Sequence, residues 1–205
     1  MKVLVIDLGT SNIRSLISAL TYLGVQPIVT SNASALASAS HVILPGVGAF
    51  DPAMKRIAEL SLFVPLRTYA IDQQQPILGV CLGMQLLFDE SEEGELPGLG
   101  LVAGRFRKLS PAPQSMCKVP HVGFSSVYGY RESAIFKGLG SKAHFYFTHS
   151  YALPRIEKDC NVALCDHAQP FVAAFQRRRI CGVQFHPEKS QSTGLKLLSN
   201  FLEFV

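Results

Sequence analysis

Pro76-Ile77-Leu78-Gly79-Val80-Cys81-Leu82-Gly83-Met84-Gln85-Leu86-Leu87-Phe88 passes from one periodicity to another with no linker between them. Pro76–Val80 is a short, continuous apolar run, as expected of a parallel strand covered on both faces. A helical run from Leu82 to Phe88 follows at once. Cys81 stands at the junction with glycine two residues before and two residues after it. That is the pattern of a nucleophile elbow, a tight turn that lifts a side chain above the carboxyl edge of a sheet. Glycine is needed on both sides because a Cβ would collide across the turn. A helix opening at Leu82 would aim backbone N–H groups at the sulfur, a setting that favours thiolate. A cysteine without such neighbours is more often a small core residue.

Outward toward the N-terminus the alternation repeats. Val3–Ile6 reads as a buried strand, followed after the loop Leu8-Gly9-Thr10-Ser11 by Ile13, Leu16, Ile17, Leu20 and Leu23 at helical spacing, with Gly24 ending the run. Pro27–Thr30 and His41–Leu44 are two further strands, and Asp51-Pro52 opens another helix, with Asp as N-cap and Pro at the first helical position. Strands alternating with helices imply parallel pairing and right-handed crossovers. Toward the C-terminus the runs shorten. Val102–Leu109, Val119–Val127, His144–Tyr151, Asn161–Leu164, Phe171–Gln176 and Ile180–Phe185 read as antiparallel strands, and an amphipathic helix spans Thr193–Phe204. The expectation is one α/β domain over residues 1–205, with a central, mostly parallel sheet flanked by helices and an antiparallel portion in the second half.

The 205 residues include 48% hydrophobic and 17% charged residues, enough apolar surface to exclude disorder as the dominant state. The net charge of +4 is scattered. Its one cluster, Arg177-Arg178-Arg179, lies between two apolar runs and reads as a solvated hairpin turn, not a nucleic-acid patch. No apolar run approaches a membrane span of about 20 residues, and Asp7 interrupts the N-terminus too early for a signal peptide. Five cysteines without a CxxC pair suit a reducing compartment. A soluble cytoplasmic protein is expected.

Cysteine chemistry needs a base, and Val183-Gln184-Phe185-His186-Pro187-Glu188 offers one. In an extended segment His186 and Glu188 would project together, with Pro187 fixing the backbone between them. A carboxylate beside an imidazole holds its tautomer and stabilises imidazolium, the third role of a triad. The turn Leu44-Pro45-Gly46-Val47-Gly48-Ala49-Phe50 suits an oxyanion hole, formed by the amides of Val47 and Leu82. Cys160, Cys165 and His167 are close in sequence but lack zinc spacing, and no metal or organic cofactor is called for.

These segments together resemble the triad-type (class I) glutamine amidotransferases. With Phe145-Tyr146-Phe147-Thr148-His149-Ser150-Tyr151 and Gly182–Ser190 included, the chain is similar along nearly its whole length to the glutaminase subunits of the imidazole glycerol phosphate synthases. The resemblance implies a flavodoxin-like fold. It makes Cys81 the nucleophile, His186 the general base and then acid, and Glu188 its orienter. It assigns Gly46, Gly48, Gln85, His149, Ser150 and Tyr151 to glutamine binding. It further implies a heterodimer with a (β/α)₈-barrel cyclase, to which ammonia passes through an internal channel in histidine biosynthesis, with Phe124 and Lys189 facing that partner.

The chain departs from the family pattern at His121-Val122-Gly123-Phe124-Ser125, where His-Met-Gly-Trp-Asn is common, and in the opening loop Asp7–Asn12. Both segments lie, by resemblance, toward the partner. One alternative therefore stands beside the histidine-pathway reading: the same glutaminase serving a cyclase-like partner that aminates a surface-polysaccharide sugar. A cysteine hydrolase or redox-stress protein of similar fold, and a regulator without activity, are the more distant alternatives.

Overall fold

The computed structural model describes residues 1–9, 13–130, 133–156 and 159–204. Residues 10–12 of the opening loop lie outside the described set. The first half follows the sequence pattern: β1 (Val3–Ile6), α1 (Arg14–Tyr22), β2 (Ile28–Thr30), β3 (His41–Gly46), α2 (Phe50–Glu59), α3 (Phe63–Arg67), β4 (Ile77–Cys81) and α4 (Leu82–Leu86). The second half contributes β5 (Glu90–Ser91), β6 (Arg105–Lys108), β7 (His121–Tyr128), β8 (Lys142–His149), β9 (Tyr151–Ala152), β10 (Asn161–His167), β11 (Gln169–Arg177), β12 (Ile180–Val183) and α5 (Gln191–Leu202).

Among the described residues nine strands form one sheet in the order β2-β1-β3-β4-β12-β11-β10-β7-β8, and β5, β6 and β9 form a small second one. The pairs β2–β1, β1–β3, β3–β4 and β4–β12 are parallel, and from β12 to β8 the pairs are antiparallel. Alternation along each central strand divides the core in two. Val3, Val5, Ile43, Leu78 and Val80 join Leu16 and Leu20 of α1 and Leu197, Leu198 and Phe201 of α5 on one face. Leu4, Ile6, Val42, Leu44 and Ile77 join Phe50, Met54 and Ile57 of α2 and Leu82 and Leu86 of α4 on the other. Helices therefore cover both faces, which is why these strands read as unbroken apolar runs.

Two local expectations are corrected. Asp51 does not cap α2: Ala49 is the N-cap residue and makes no side-chain cap bond. The Asp51 carboxylate instead accepts from the N–H groups of Glu95 and Leu96 at 3.1 Å each, and this tertiary pairing holds its pKa below 3.8. The Phe50 N–H donates to Glu93 Oε2 at 2.9 Å, so a residue 43 positions away performs the capping expected of Asp51. Second, Ile180–Val183 is antiparallel only to β11, while on its other side it pairs in parallel with the nucleophile strand β4. The arginine cluster does form the hairpin turn between β11 and β12, with Arg178 at φ 55°.

Candidate active site

Register brings the site together. Gly46 of β3 lies opposite Cys81 of β4, and Gly182 and Val183 of β12 lie opposite Gly79 and Val80. The chain segments leaving β3, β4 and β12 therefore emerge side by side at the carboxyl edge, where open α/β sheets bind ligands. They carry Val47-Gly48, Cys81-Leu82 and Gln184–Glu188.

The elbow is real and strained, with Cys81 at φ 55°, ψ −112°. The need for glycine is steric but only half as expected. A Cβ on Gly79 would lie 2.6 Å from the Gly83 carbonyl oxygen, a collision across the turn. A Cβ on Gly83 would lie 1.7 Å from the carbonyl oxygen of Leu44, so the obstacle there is the neighbouring strand β3. The helix beyond the elbow is shorter than the sequence pattern, ending at Leu86.

Cys81 forms part of the wall of a cavity of about 280 Å³, and its side chain is nearly buried. Its thiol lies 3.9 Å from the Thr148 carbonyl oxygen and accepts from Gln184 Nε2 at 3.8 Å. The Nδ1–H of His186 donates to Glu188 Oε1 at 2.8 Å. His186 and Glu188 do not share one face of an extended segment: His186 is extended, but Pro187–Lys189 forms one 3₁₀ turn with Pro187 at its start. Proline is compatible with a first helical position, and the turn, not a pleat, folds Glu188 back onto the imidazole.

Burial of His186 acts to lower its pKa, but hydrogen bonding and charge from Cys81 and Glu188 outweigh it and raise the value to about 10. With Nδ1 held by Glu188, Nε2 is the buried nitrogen left to exchange a proton with Cys81 and with substrate.

Val47, Gly48, Leu82, Gln85, His149, Ser150 and Tyr151 also line the cavity, as does His186. Gly46 does not. It sits behind the elbow with Val80, His186 and Glu188 around a much smaller void. Sequence reasoning missed Glu93, Pro120 and Thr148, which complete the lining, and Gln184, whose fully buried amide lies between Cys81 and Gln85. Gln85 Nε2 donates to Gln184 Oε1 at 3.4 Å, leaving Gln85 Oε1 buried without a partner. Glu93 is the acidic residue in the lining, and burial, foremost, raises its pKa above 4.5. A signal for Gln184 was present, since it lies two residues before His186, but nothing local says where its amide points.

Phe124 is 51% exposed and meets Tyr146 edge-on at 5.6 Å, and Lys189 Nζ lies 5.8 Å from the centre of the Tyr146 ring. The two positions expected on one surface are thus joined by a third residue between them. Cys165 is fully buried and His167 stacks on His121 at 3.9 Å. Among the described residues, no group of three or more His, Cys, Asp or Glu is placed to hold a metal ion.

An elbow cysteine, an imidazole–carboxylate pair and a glycine turn at the carboxyl edge of a doubly covered sheet define a class. The model of the class I glutamine amidotransferase family matches residues 4–204, and the chain belongs to that family. It is 45% identical over 202 residues to the imidazole glycerol phosphate synthase subunit HisH of Xylella fastidiosa, covering 98% of this chain and 97% of that one. It is 46% identical over 201 residues to the subunit of the same name from Xanthomonas oryzae pv. oryzae, covering 98% and 96%. Among solved structures, one described as a glutamine amidotransferase superposes with a TM-score of 0.75 at 18% identity, covering 98% of this chain and 97% of that chain. The structure of PurLQS from Thermotoga maritima does so with a TM-score of 0.72 at 19% identity, covering 98% and 97%. These last two likenesses establish the fold alone.

Proposed function

We propose that this chain is the glutaminase subunit of an imidazole glycerol phosphate synthase, hydrolysing glutamine and delivering the ammonia to a cyclase in histidine biosynthesis. The observation that carries the chemistry is the Cys81 elbow sharing a cavity with a His186 whose Nδ1–H is held at 2.8 Å by Glu188. Cys81 passes its S–H proton to His186 as its sulfur attacks the side-chain amide carbon of glutamine, and the resulting oxyanion is stabilised by the amides of Val47 and Leu82. The C–N bond then breaks. His186, now an imidazolium held by Glu188, gives that proton to the leaving ammonia. Neutral His186 next takes a proton from water, whose oxygen attacks the thioester and releases glutamate and the thiol.

Gln85 and Gly48, with His149, Ser150 and Tyr151, surround the substrate, and Gln85 Oε1 offers an unused acceptor. Glu93 is suited to an ammonium group, because a carboxylate raised by burial gains most from an arriving cation.

The partner is a (β/α)₈-barrel cyclase seated on the strip formed by Phe124, Tyr146 and Lys189, beside the exposed Val122. The name shared by the relatives favours this partner over the surface-polysaccharide alternative. Among the described residues no helix is long and apolar enough to cross a membrane. The test is glutamate release by the chain alone and with the cyclase carrying its nucleotide. It is paired with mass mapping after reaction with 6-diazo-5-oxonorleucine, a glutamine analogue that alkylates a nucleophilic cysteine. Label at Cys117 or Cys160 instead of Cys81, or no glutamate with the loaded cyclase, would overturn the reading.

A further inference from the structure

Behind the cavity wall runs a chain of imidazoles that the hydrolytic steps do not use. His149 lines the cavity, and its Nδ1 lies 2.8 Å from the Tyr151 carbonyl oxygen. Its Nε2 lies 3.0 Å from Nδ1 of His121, and Nε2 of His121 lies 2.8 Å from Ser125 Oγ. A carbonyl oxygen only accepts, and that fixes every proton in the chain. His149 carries its hydrogen on Nδ1 and donates it to Tyr151. Its Nε2 accepts from His121 Nδ1–H, and His121 Nε2 accepts from the Ser125 hydroxyl. The opposite polarity would set a ring lone pair against the carbonyl lone pair.

Both rings are held neutral. Burial, foremost, lowers the pKa of His121 to about 3 and of His149 to about 4, and the neighbouring imidazoles add to the effect. His121 has no room to tilt. It is stacked between Phe147 at 4.6 Å and His167 at 3.9 Å, and His167 donates through Nε2 to the Lys118 carbonyl at 2.8 Å. Alternation along β7 puts His121 and Ser125 on one side of the strand. Val122 and Phe124, exposed by 57% and 51%, lie on the other side. His149 is also paired directly with His121 in the β7–β8 ladder.

We infer that His121 is a positioning residue for glutamine hydrolysis. With Ser125 it fixes the tautomer of His149, and through it the wall Thr148–Tyr151, whose Thr148 carbonyl faces the nucleophile at 3.9 Å. The seating of β7, whose outer face is the aromatic strip, then bears on turnover in the cavity. The inference rests on reading this cavity as the glutaminase site.

The test uses the full chain with its cyclase. Histidine is labelled with ¹⁵N, and long-range ¹H–¹⁵N correlation reads the ring tautomers. In the wild type both rings carry hydrogen on Nδ1, and His149 takes up no second proton until the pH falls to about 4. His121→Phe preserves the stacking and removes the donor. His149 is then expected to leave the single Nδ1–H form, and kcat/KM for glutamine to fall about five- to tenfold, the worth of one neutral hydrogen bond. Ser125→Ala, which leaves the packing intact, should alter the His121 nitrogens and lower kcat/KM in the same direction, and it decides the matter alone if His121→Phe does not fold. Wild-type His149 protonated on Nε2, or variants with altered nitrogens and unchanged kcat/KM, would overturn the inference. Wild-type protein that releases no glutamate with the loaded cyclase would instead remove the glutaminase reading, while the nitrogen shifts still report on the chain of imidazoles.

Discussion

Glu188 Oε1 accepts from His186 Nδ1–H at 2.8 Å across a single 3₁₀ turn, and Ser190 fastens that turn to the sheet. The Ser190 hydroxyl donates to the His186 carbonyl at 2.6 Å and its oxygen accepts from the Tyr146 N–H at 2.9 Å. The imidazole is therefore aimed by residues on both sides of it. Glu188→Gln keeps the shape but not the charge, and kcat should fall ~10²–10⁴-fold, the scale of positioned proton transfer. Steady-state glutamate release measures it, and a loss of less than a few-fold would argue against an orienting role.

Cys81→Ala should abolish glutamine hydrolysis while the fold persists, because one small nearly buried side chain costs about 1 kcal/mol to truncate. The variant should still support its cyclase when ammonium salt replaces glutamine. Glutamate release near the wild-type rate would remove Cys81 from the role of nucleophile.

Gly83→Ala tests the elbow as a packing constraint. Its Cβ would stand 1.7 Å from a backbone oxygen of β3, which has no flexible side chain to move aside. Chemical denaturation should show a loss of about 3 kcal/mol or more. A stability equal to wild type would mean that β3 and α4 do not meet there.

Stability should fall on both sides of pH 6.5. His121 and His149 have pKa values lowered to about 3 and about 4, so their contribution is present above 6.5 and is lost as the unfolded chain takes up protons below it. His186 has its pKa raised to about 10, so its contribution is complete below 6.5 and is lost as the pH rises through about 10. Each proton changes stability by at most about 1.4 kcal/mol per pH unit. Thermal midpoints across this range should show both limbs, and His186→Gln should flatten the alkaline one. An alkaline limb unchanged in that variant would assign it to another group.

Phe124→Ala should weaken association with the histidine-pathway cyclase by ~1–3 kcal/mol, as expected for an exposed aromatic anchor. Lys189→Ala should cost less if its counter-charge lies at the solvated rim. Titration calorimetry of both variants against that cyclase measures the difference. Phe124→Ala binding with unchanged affinity would place the interface elsewhere on the sheet.

The sequence alone carried what depends on near neighbours in the chain. Glycines flanking Cys81 imposed an elbow, unbroken apolar runs implied strands covered on both faces, and His186-Pro187-Glu188 kept an imidazole and a carboxylate within one turn of each other. Where a local rule met a distant partner, it lost. Asp51 reads as a helix cap, yet the N–H groups of Glu95 and Leu96 claim its carboxylate and Glu93 takes over its task.

Tertiary structure alone decided which segments face the nucleophile. Gln184 is 103 residues from Cys81 and donates to its sulfur only because β12 inserts beside β4 in a register that sets Gly182 against Gly79. Glu93, Pro120, Thr148 and the His121–His149 chain arrive by the same means. A strand's own pattern fixes which face is buried but not which strand lies next to it. The partner is selected by long-range packing and pairing summed over the whole sheet, and no single segment contains that information.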